Sequence, residues 1–141
     1  VMMAGASATL AAQWGLIPKL ALTSRQLVIW GSLVAAAGCV VTGFAETAYG
    51  LILGFSLASL GFGLFRPGFT SGASLAVGLD QQNAVAGQVT SVNGMAYVLG
   101  PGLGLWIYGF GLAFPLLLTA LLMAALAAWT ALRVRPWDPA A

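Results

Sequence analysis

Residues 49–77 read YGLILGFSLASLGFGLFRPGFTSGASLAV and contain a single charged side chain, Arg66. A helix needs roughly 20 predominantly apolar residues to cross about 30 Å of hydrocarbon, so this stretch predicts a membrane-spanning helix. Four further apolar stretches occupy most of the chain. We predict helices at approximately 1–17, 27–45, 49–77, 86–108 and 112–133. The runs are continuous and much longer than the roughly 10-residue alternating strands of a β-barrel, so the predicted class is all-α integral membrane protein.

Composition supports this class and argues against several functions. Charged residues make up 6% of the 141-residue chain and hydrophobic residues 60%, whereas soluble domains carry about 25% charged residues. The chain has no histidine and one cysteine, Cys39, and its carboxylates, Glu46, Asp80 and Asp138, all fall outside the predicted crossings. We therefore expect no metal, no cofactor, no enzymatic activity and no nucleic acid partner.

The distribution of basic residues predicts the orientation in the bilayer. Lys19 and Arg25 lie in the first predicted loop, and Arg133 and Arg135 follow the last crossing. The second and fourth connections contain one acid, Glu46, and no base. By the positive-inside rule, the first loop and the C-terminus are expected to be cytoplasmic, in a multi-pass protein of the inner (cytoplasmic) membrane.

Small residues recur at helical spacing in two of the predicted crossings. In the third they are Gly50, Gly54, Ala58, Gly61, Gly68 and Gly72, and in the fourth Gly87, Ser91, Gly94, Gly100 and Gly104. Such faces allow close helix packing, and Gly100 and Gly104 form a GxxxG pair. We therefore expect the third and fourth helices inside the bundle and the second and fifth against lipid. The alternative is that glycine reflects only the composition of membrane helices.

Arg66 is the main candidate for a functional residue. A guanidinium inside a crossing costs at least about 2.5 kcal/mol unless it reaches water, a partner or the interface. Two interpretations remain open for Arg66: a role in a cavity, or extension of the side chain to the headgroups. Gln13, Gln88, Asn93 and Tyr97 either line a polar pathway or form interhelical hydrogen bonds.

Two prolines are predicted to bend their helices. Pro67 precedes Gly68, and Pro101 lies between Gly100 and Gly102. Each proline removes a backbone hydrogen bond, which bends the helix axis. The bends either allow the helices to rock or are static kinks stabilised by neighbouring helices.

Residues 61–68, GFGLFRPG, and residues 99–102, LGPG, carry a family likeness. With the Ala86-Gly87 step and Tyr108, they resemble the C-terminal half of a major facilitator superfamily transporter, in particular bacterial drug:proton antiporters of the tetracycline-efflux type. The resemblance implies that the five helices correspond to the eighth to twelfth of that fold. It also implies efflux of a drug-like or other small molecule by alternating access, driven by an ion (proton) gradient.

The resemblance carries expectations about partners. The substrate cavity of the family lies between two halves of the polypeptide, so an N-terminal half is expected upstream of Val1. Residues 15–25 occupy the position of the family's second basic loop motif, with Lys19 and Arg25 as its bases. The Asp and the second Gly of that motif are absent here, and Thr23 and Ser24 stand in their place.

A second hypothesis belongs to another class. The glycine faces are equally typical of a small standalone multi-pass membrane protein that forms an oligomeric scaffold or serves as a partner subunit. That hypothesis predicts translation from Met2 or Met3 and a stable species near 14.4 kDa.

Overall fold

The computed structural model describes residues 2–16, 22–111 and 113–134, and these residues are predominantly helical. The helices are α1 (Met2–Leu10), which continues into a π-helical segment (Ala11–Leu16), α2 (Ser24–Gly43), α3 (Ala48–Leu75), α4 (Gln82–Tyr108) and α5 (Phe114–Arg133). No strand occurs within these ranges, which confirms the all-α class.

Three of these helices, α2, α3 and α5, are long and apolar enough to cross a membrane. The other two predicted crossings differ for separate reasons. The α-helical part of the first is only nine residues long. The fourth helix, α4, has 27 residues but carries amide and hydroxyl side chains along its first half. These are Gln82, Asn83, Gln88, Thr90, Ser91 and Asn93.

The start of α2 differs from the predicted boundary. Thr23 caps the helix: its side-chain oxygen accepts a hydrogen bond from the Gln26 backbone N–H at 3.3 Å, and the Gln26 side chain accepts one from the Thr23 N–H at 3.0 Å. This reciprocal capping box starts the helix at Ser24. Arg25 therefore lies in the first turn of α2, and its placement in a loop was wrong. Lys19 lies outside the described residues.

Arg25 connects the beginning of α2 to the end of α5. Its Nε donates to the Val134 carbonyl at 2.7 Å, and its Nη2 donates to the Ala131 carbonyl at 2.8 Å. The last carbonyls of a helix lack intrahelical donors and carry the negative end of the helix dipole. The guanidinium therefore satisfies both the hydrogen-bonding and the charge requirement of this helix end.

The closest helix pair is α2 with α3, which pack antiparallel through glycines contributed by both helices. Gly31 lies against Phe65, and seven residues later Gly38 lies against Ala58. A Cβ added to Gly31 would lie 2.6 Å from the Phe65 backbone nitrogen, a distance that real Cβ atoms essentially never show. Gly61 lies in the same way against the Ala35 backbone. The two backbones therefore approach to a distance that only glycine allows at these positions.

The packing of α2 and α4 differs from the sequence-based expectation. The helix α4, expected inside the bundle, contains no buried residue among those described. A Cβ added at Gly87, Gly94, Gly100, Gly102 or Gly104 would meet no described atom within 4 Å. By contrast α2, expected against lipid, supplies the largest set of buried residues: Leu27, Gly31, Ser32, Ala35, Ala36, Gly38 and Cys39.

The physical reason lies in side-chain size on α2. Ala36 and Cys39 pack against Ala120 of α5, with Ala58 of α3 and Met123 of α5 around them. A helix whose inward residues are alanine, serine, glycine and cysteine fits between two neighbours as closely as a glycine-rich one. The Val and Ala content of α2 therefore marked a central helix and not a lipid-facing one.

Replacing Gly61 by alanine tests the α2–α3 contact. We expect Gly61→Ala to lower the stability by about 1 to 3 kcal/mol, because the added methyl overlaps the Ala35 backbone. The matched control, Gly94→Ala, adds the same methyl to an open helix surface and should be neutral or stabilising by up to about 1 kcal/mol. Thermal unfolding in detergent, followed by tryptophan fluorescence, measures both variants. Equal effects would contradict the close contact.

Replacing Arg25 tests the connection to α5. We expect Arg25→Ala to destabilise the protein by about 1 to 2 kcal/mol, because two carbonyls at the end of α5 lose a charged donor. Arg25→Lys should recover part of this loss, since an ammonium keeps the charge but not the planar pair of donors. The control is Arg133→Ala, which removes an exposed arginine from the last turn of α5. The same unfolding measurement applies, and an Arg25→Ala variant as stable as Arg133→Ala would disprove the connection.

Candidate functional site

A polar groove lies between the first helical segment and α3. Its volume is about 340 Å³, at the lower end of the range for small-molecule pockets, about 300 to 1,000 Å³. The described residues that line it are Thr9, Gln13, Ser59, Phe62, Gly63 and Arg66. We call this cavity the Arg66 groove.

One wall of the Arg66 groove is held in place by a hydrogen bond between helices. The Thr9 hydroxyl lies 3.1 Å from the Ser59 carbonyl of α3 and 3.1 Å from the Gly5 carbonyl of its own helix. Close packing at Gly5 adds to this contact, because a Cβ there would lie 2.7 Å from the Ser59 hydroxyl oxygen. These contacts keep α1 at a fixed position along α3.

Gln13 belongs to the π-helical segment Ala11–Leu16. A π-helical turn widens the backbone spiral, and such turns are frequent at functional sites. Here the segment continues α1 past Thr9 and contributes the Gln13 amide to the lining of the groove. The sequence indicated that Gln13 is polar within an apolar run, but the change in helix type has no signal in the residues themselves.

Arg66 binds Tyr97, 31 residues further along the chain. A terminal guanidinium nitrogen, Nη2, donates to the Tyr97 hydroxyl, and the guanidinium carbon lies 6.0 Å from the centroid of the tyrosine ring. This distance is at the limit for a cation–π contact. The pair joins α3 to α4, and among the described lining residues the positive charge of Arg66 has no negative partner.

Arg66 lies far from both ends of α3. Leu75, the last residue of the helix, lies nine positions further along, which corresponds to about 14 Å at 1.5 Å per residue. The nearest carboxylates in the sequence, Glu46 and Asp80, lie before and after α3. The described lining of the groove contains no carboxylate. In a helix that crosses a membrane, such an arginine depends on water and on neutral hydrogen-bond acceptors.

Both prolines remove backbone hydrogen bonds next to this pair. Proline has no N–H, so Pro67 leaves the Gly63 carbonyl without its helical donor, and Pro101 does the same to the Tyr97 carbonyl. Gly63 lines the groove and Tyr97 binds Arg66. The helices α3 and α4 nevertheless continue through their prolines. The two most easily bent points of these helices therefore lie beside the Arg66–Tyr97 contact.

Hydroxyl groups on α3 satisfy carbonyls around the proline. Thr70 donates to the Arg66 carbonyl at 2.9 Å, and Ser71 donates to the Pro67 carbonyl at 2.7 Å. Side chains of this type form local hydrogen bonds to the carbonyl four residues earlier and often bend the helix slightly. They keep the turn after Pro67 hydrogen-bonded while leaving it deformable.

The structure joins two of the four predicted pathway residues, Arg66 and Tyr97. Gln88 and Asn93 are exposed on α4, and neither side chain forms a hydrogen bond to another of the described residues. Asn93 precedes Tyr97 by four positions and shares its face. Gly61 and Gly68 lie at the α2–α3 contact, Gly68 beside the Leu27 Cβ, while Gly100 and Gly104 lie on the open surface of α4.

Two lining residues, Thr9 and Ser59, were missed in the sequence. Hydroxyl residues are common in apolar helices because they can bond to their own backbone, so neither residue differs visibly from Ser7 or Ser56. Their proximity arises from the packing of α1 on α3, which brings together residues 50 positions apart.

No protein-family model, no curated protein and no solved structure matches this chain. The likeness to transporters therefore depends on the short motifs around Pro67 and Pro101.

A double-mutant cycle tests the Arg66–Tyr97 contact. We expect Arg66→Gln and Tyr97→Phe to be coupled by about 1 kcal/mol in thermal unfolding, because each variant removes the same hydrogen bond. Tyr97→Phe keeps the ring and removes only the hydroxyl. The control cycle pairs Arg66→Gln with Tyr108→Phe, which lies near the end of the same helix, and should show no coupling. Additive effects in both cycles would mean that the two side chains do not interact.

Proposed function

We propose that this chain is part of a secondary active transporter that exports a drug-like or other small molecule by alternating access, driven by a proton gradient. The observation that carries the proposal is the arginine–tyrosine contact on a polar groove, far from either end of a helix long and apolar enough to cross a membrane. In this proposal all five helical segments cross the inner membrane, in the arrangement of a C-terminal half of the major facilitator superfamily. The C-terminus is then cytoplasmic.

The position of the charge supports transport over a purely structural role. Charged residues at membrane depth are costly, and they typically mark the pathway of a substrate or ion. Transporters commonly place their sites near the bilayer midplane on helices whose backbone is interrupted. Arg66 supports a site of this kind, because it precedes Pro67 and contacts Tyr97, whose carbonyl loses its helical donor to Pro101.

The exposure of α4 supports a partner surface within the proposed transporter. The glycines on its surface have no described atom close to them, and Gly100 and Gly104 are four residues apart. Small residues at this spacing typically allow a second helix to approach closely. We propose that the remaining half of the same polypeptide packs against α4, so that the Arg66 groove opens toward the cavity between the halves.

The same surface also fits the alternative function. If five helical segments are the whole protein, the Gly100 and Gly104 face would pack against a second copy, and the protein would act as an oligomeric scaffold or partner subunit. The two functions differ in mass and in activity. A scaffold forms a homo-oligomer of 14.4 kDa chains and moves no solute.

Transport in everted membrane vesicles tests the proposal. The complete gene product should drive uptake of at least one member of a panel of cationic, neutral and anionic fluorescent compounds, and a protonophore should abolish that uptake. We expect Arg66→Gln to lower the transport rate at least tenfold, because it removes the guanidinium. Tyr97→Phe should lower the rate severalfold, because the guanidinium stays but loses the hydroxyl that positions it. Arg133→Gln, which removes an exposed arginine at the end of α5, is the matched control and should transport normally.

Two results would contradict the proposal. Unchanged transport of every compound by both Arg66→Gln and Tyr97→Phe would remove the groove from the mechanism. Absence of any transport, together with a homo-oligomer of this chain in light scattering, would favour the scaffold.

A further inference from the structure

We propose that the Arg66 groove binds a small amphiphilic organic acid, with the carboxylate held by Arg66 and the apolar body against Phe62. The inference names the substrate class of the proposed transporter and in that respect rests on the proposed function. Binding itself does not depend on transport, so the two are tested separately below.

The charge of the groove favours an anion. The guanidinium of Arg66 is the one formal charge among the described lining residues, since Thr9, Gln13, Ser59, Phe62 and Gly63 are neutral. Its observed partner, the Tyr97 hydroxyl, is neutral as well. A cation placed here would be repelled at short range, whereas an anion would compensate a charge that the described part of the chain leaves uncompensated.

The groove also supplies several hydrogen-bond donors. Arginine has five N–H donors in a planar arrangement that matches the two oxygens of a carboxylate. Only one of these donors, on Nη2, is used by Tyr97. The Gln13 amide and the Ser59 hydroxyl add neutral donors to the same groove. The site is therefore rich in donors and suited to an oxyanion.

The groove also offers an apolar contact for the body of a ligand. Phe62 is the one large apolar residue among the described lining residues, and the groove volume is about 340 Å³. Small-molecule pockets combine apolar surface with a few placed polar groups. An aromatic or branched monocarboxylic acid fits this combination. An anionic phospholipid offers the same oxyanion, but its two acyl chains would lie outside a groove of this volume. The experiment with phosphatidylglycerol distinguishes the two sources of the anion.

Tyr97 acts as a positioning residue. Its hydroxyl holds one end of the guanidinium, so the remaining N–H groups keep a defined direction. Removing the hydroxyl leaves the charge in place but releases the side chain. Loss of Tyr97 should therefore weaken anion binding less than loss of Arg66 does, and should reduce the preference between anions of different shape.

Calorimetry on the complete gene product, purified into phosphatidylcholine nanodiscs, tests the proposal. The probes are salicylate, its neutral amide salicylamide and the lipophilic cation tetraphenylphosphonium. The unmodified protein should bind salicylate at least tenfold more tightly than either comparison compound. Arg66→Gln should lose at least tenfold in salicylate affinity, Arg66→Lys and Tyr97→Phe severalfold, and Arg133→Gln should bind normally.

Three outcomes would overturn the inference. The first is that the unmodified protein binds tetraphenylphosphonium or salicylamide as tightly as salicylate or more tightly. This outcome does not depend on the folding of any variant. The second is unchanged salicylate affinity in Arg66→Gln. The third concerns the source of the anion: if phosphatidylglycerol in the nanodiscs lowers salicylate affinity tenfold in the unmodified protein, the groove takes a lipid and not a soluble acid.

Failure of this inference and failure of the proposed function give different results. Arg66-dependent salicylate binding without transport of any compound would retain the groove assignment and contradict the transporter. Proton-driven transport of cations that is lost in Arg66→Gln, without salicylate binding, would retain the transporter and contradict the anion site.

Discussion

The close approach of α2 and α3 organises the rest of the described structure. It requires glycine at Gly31, Gly38 and Gly61, because a Cβ at any of these positions would overlap a backbone atom of the other helix. This contact occupies one face of α3. Arg66 follows Gly61 by five positions, which places it about 140° further around the helix axis. The face that packs and the face that carries the charge are therefore separated by helix geometry alone.

The described helices divide into a tightly joined set and a loosely joined one. Packing between α2, α3 and α5 involves buried small residues, and Arg25 fastens the start of α2 to the end of α5. In contrast, α4 buries no residue among those described. A side-chain hydrogen bond joins α4 to the other described helices, from Arg66 of α3 to the Tyr97 hydroxyl. It lies next to the backbone hydrogen bonds that Pro67 and Pro101 remove.

Local signals in the sequence predicted where the helices lie better than which helices pack against each other. The apolar stretches predicted five helical segments, and the segments are present. The Thr23-to-Gln26 spacing is a capping box that the sequence contains, yet the basic residues beside it were interpreted as loop charges. The central position of α2 was missed because the prediction considered glycines as packing residues and left out other small residues. In α2 these are Ser32, Ala35, Ala36 and Cys39. At the site, Arg66 and Tyr97 were both singled out from the sequence, but their contact was not.

The sequence by itself determined that this chain forms apolar helices and that one of them carries an arginine where a charge is costly. Both properties follow from local quantities, since helices satisfy backbone hydrogen bonds within a segment and transfer from water depends on the side chains of that segment. Only the tertiary structure decided which faces meet, that Thr9 and Gln13 lie beside Arg66, and that Tyr97 is its partner. The two interhelical hydrogen bonds of the site join residues 31 and 50 positions apart. They depend on the fit of whole helix surfaces, which no single segment encodes.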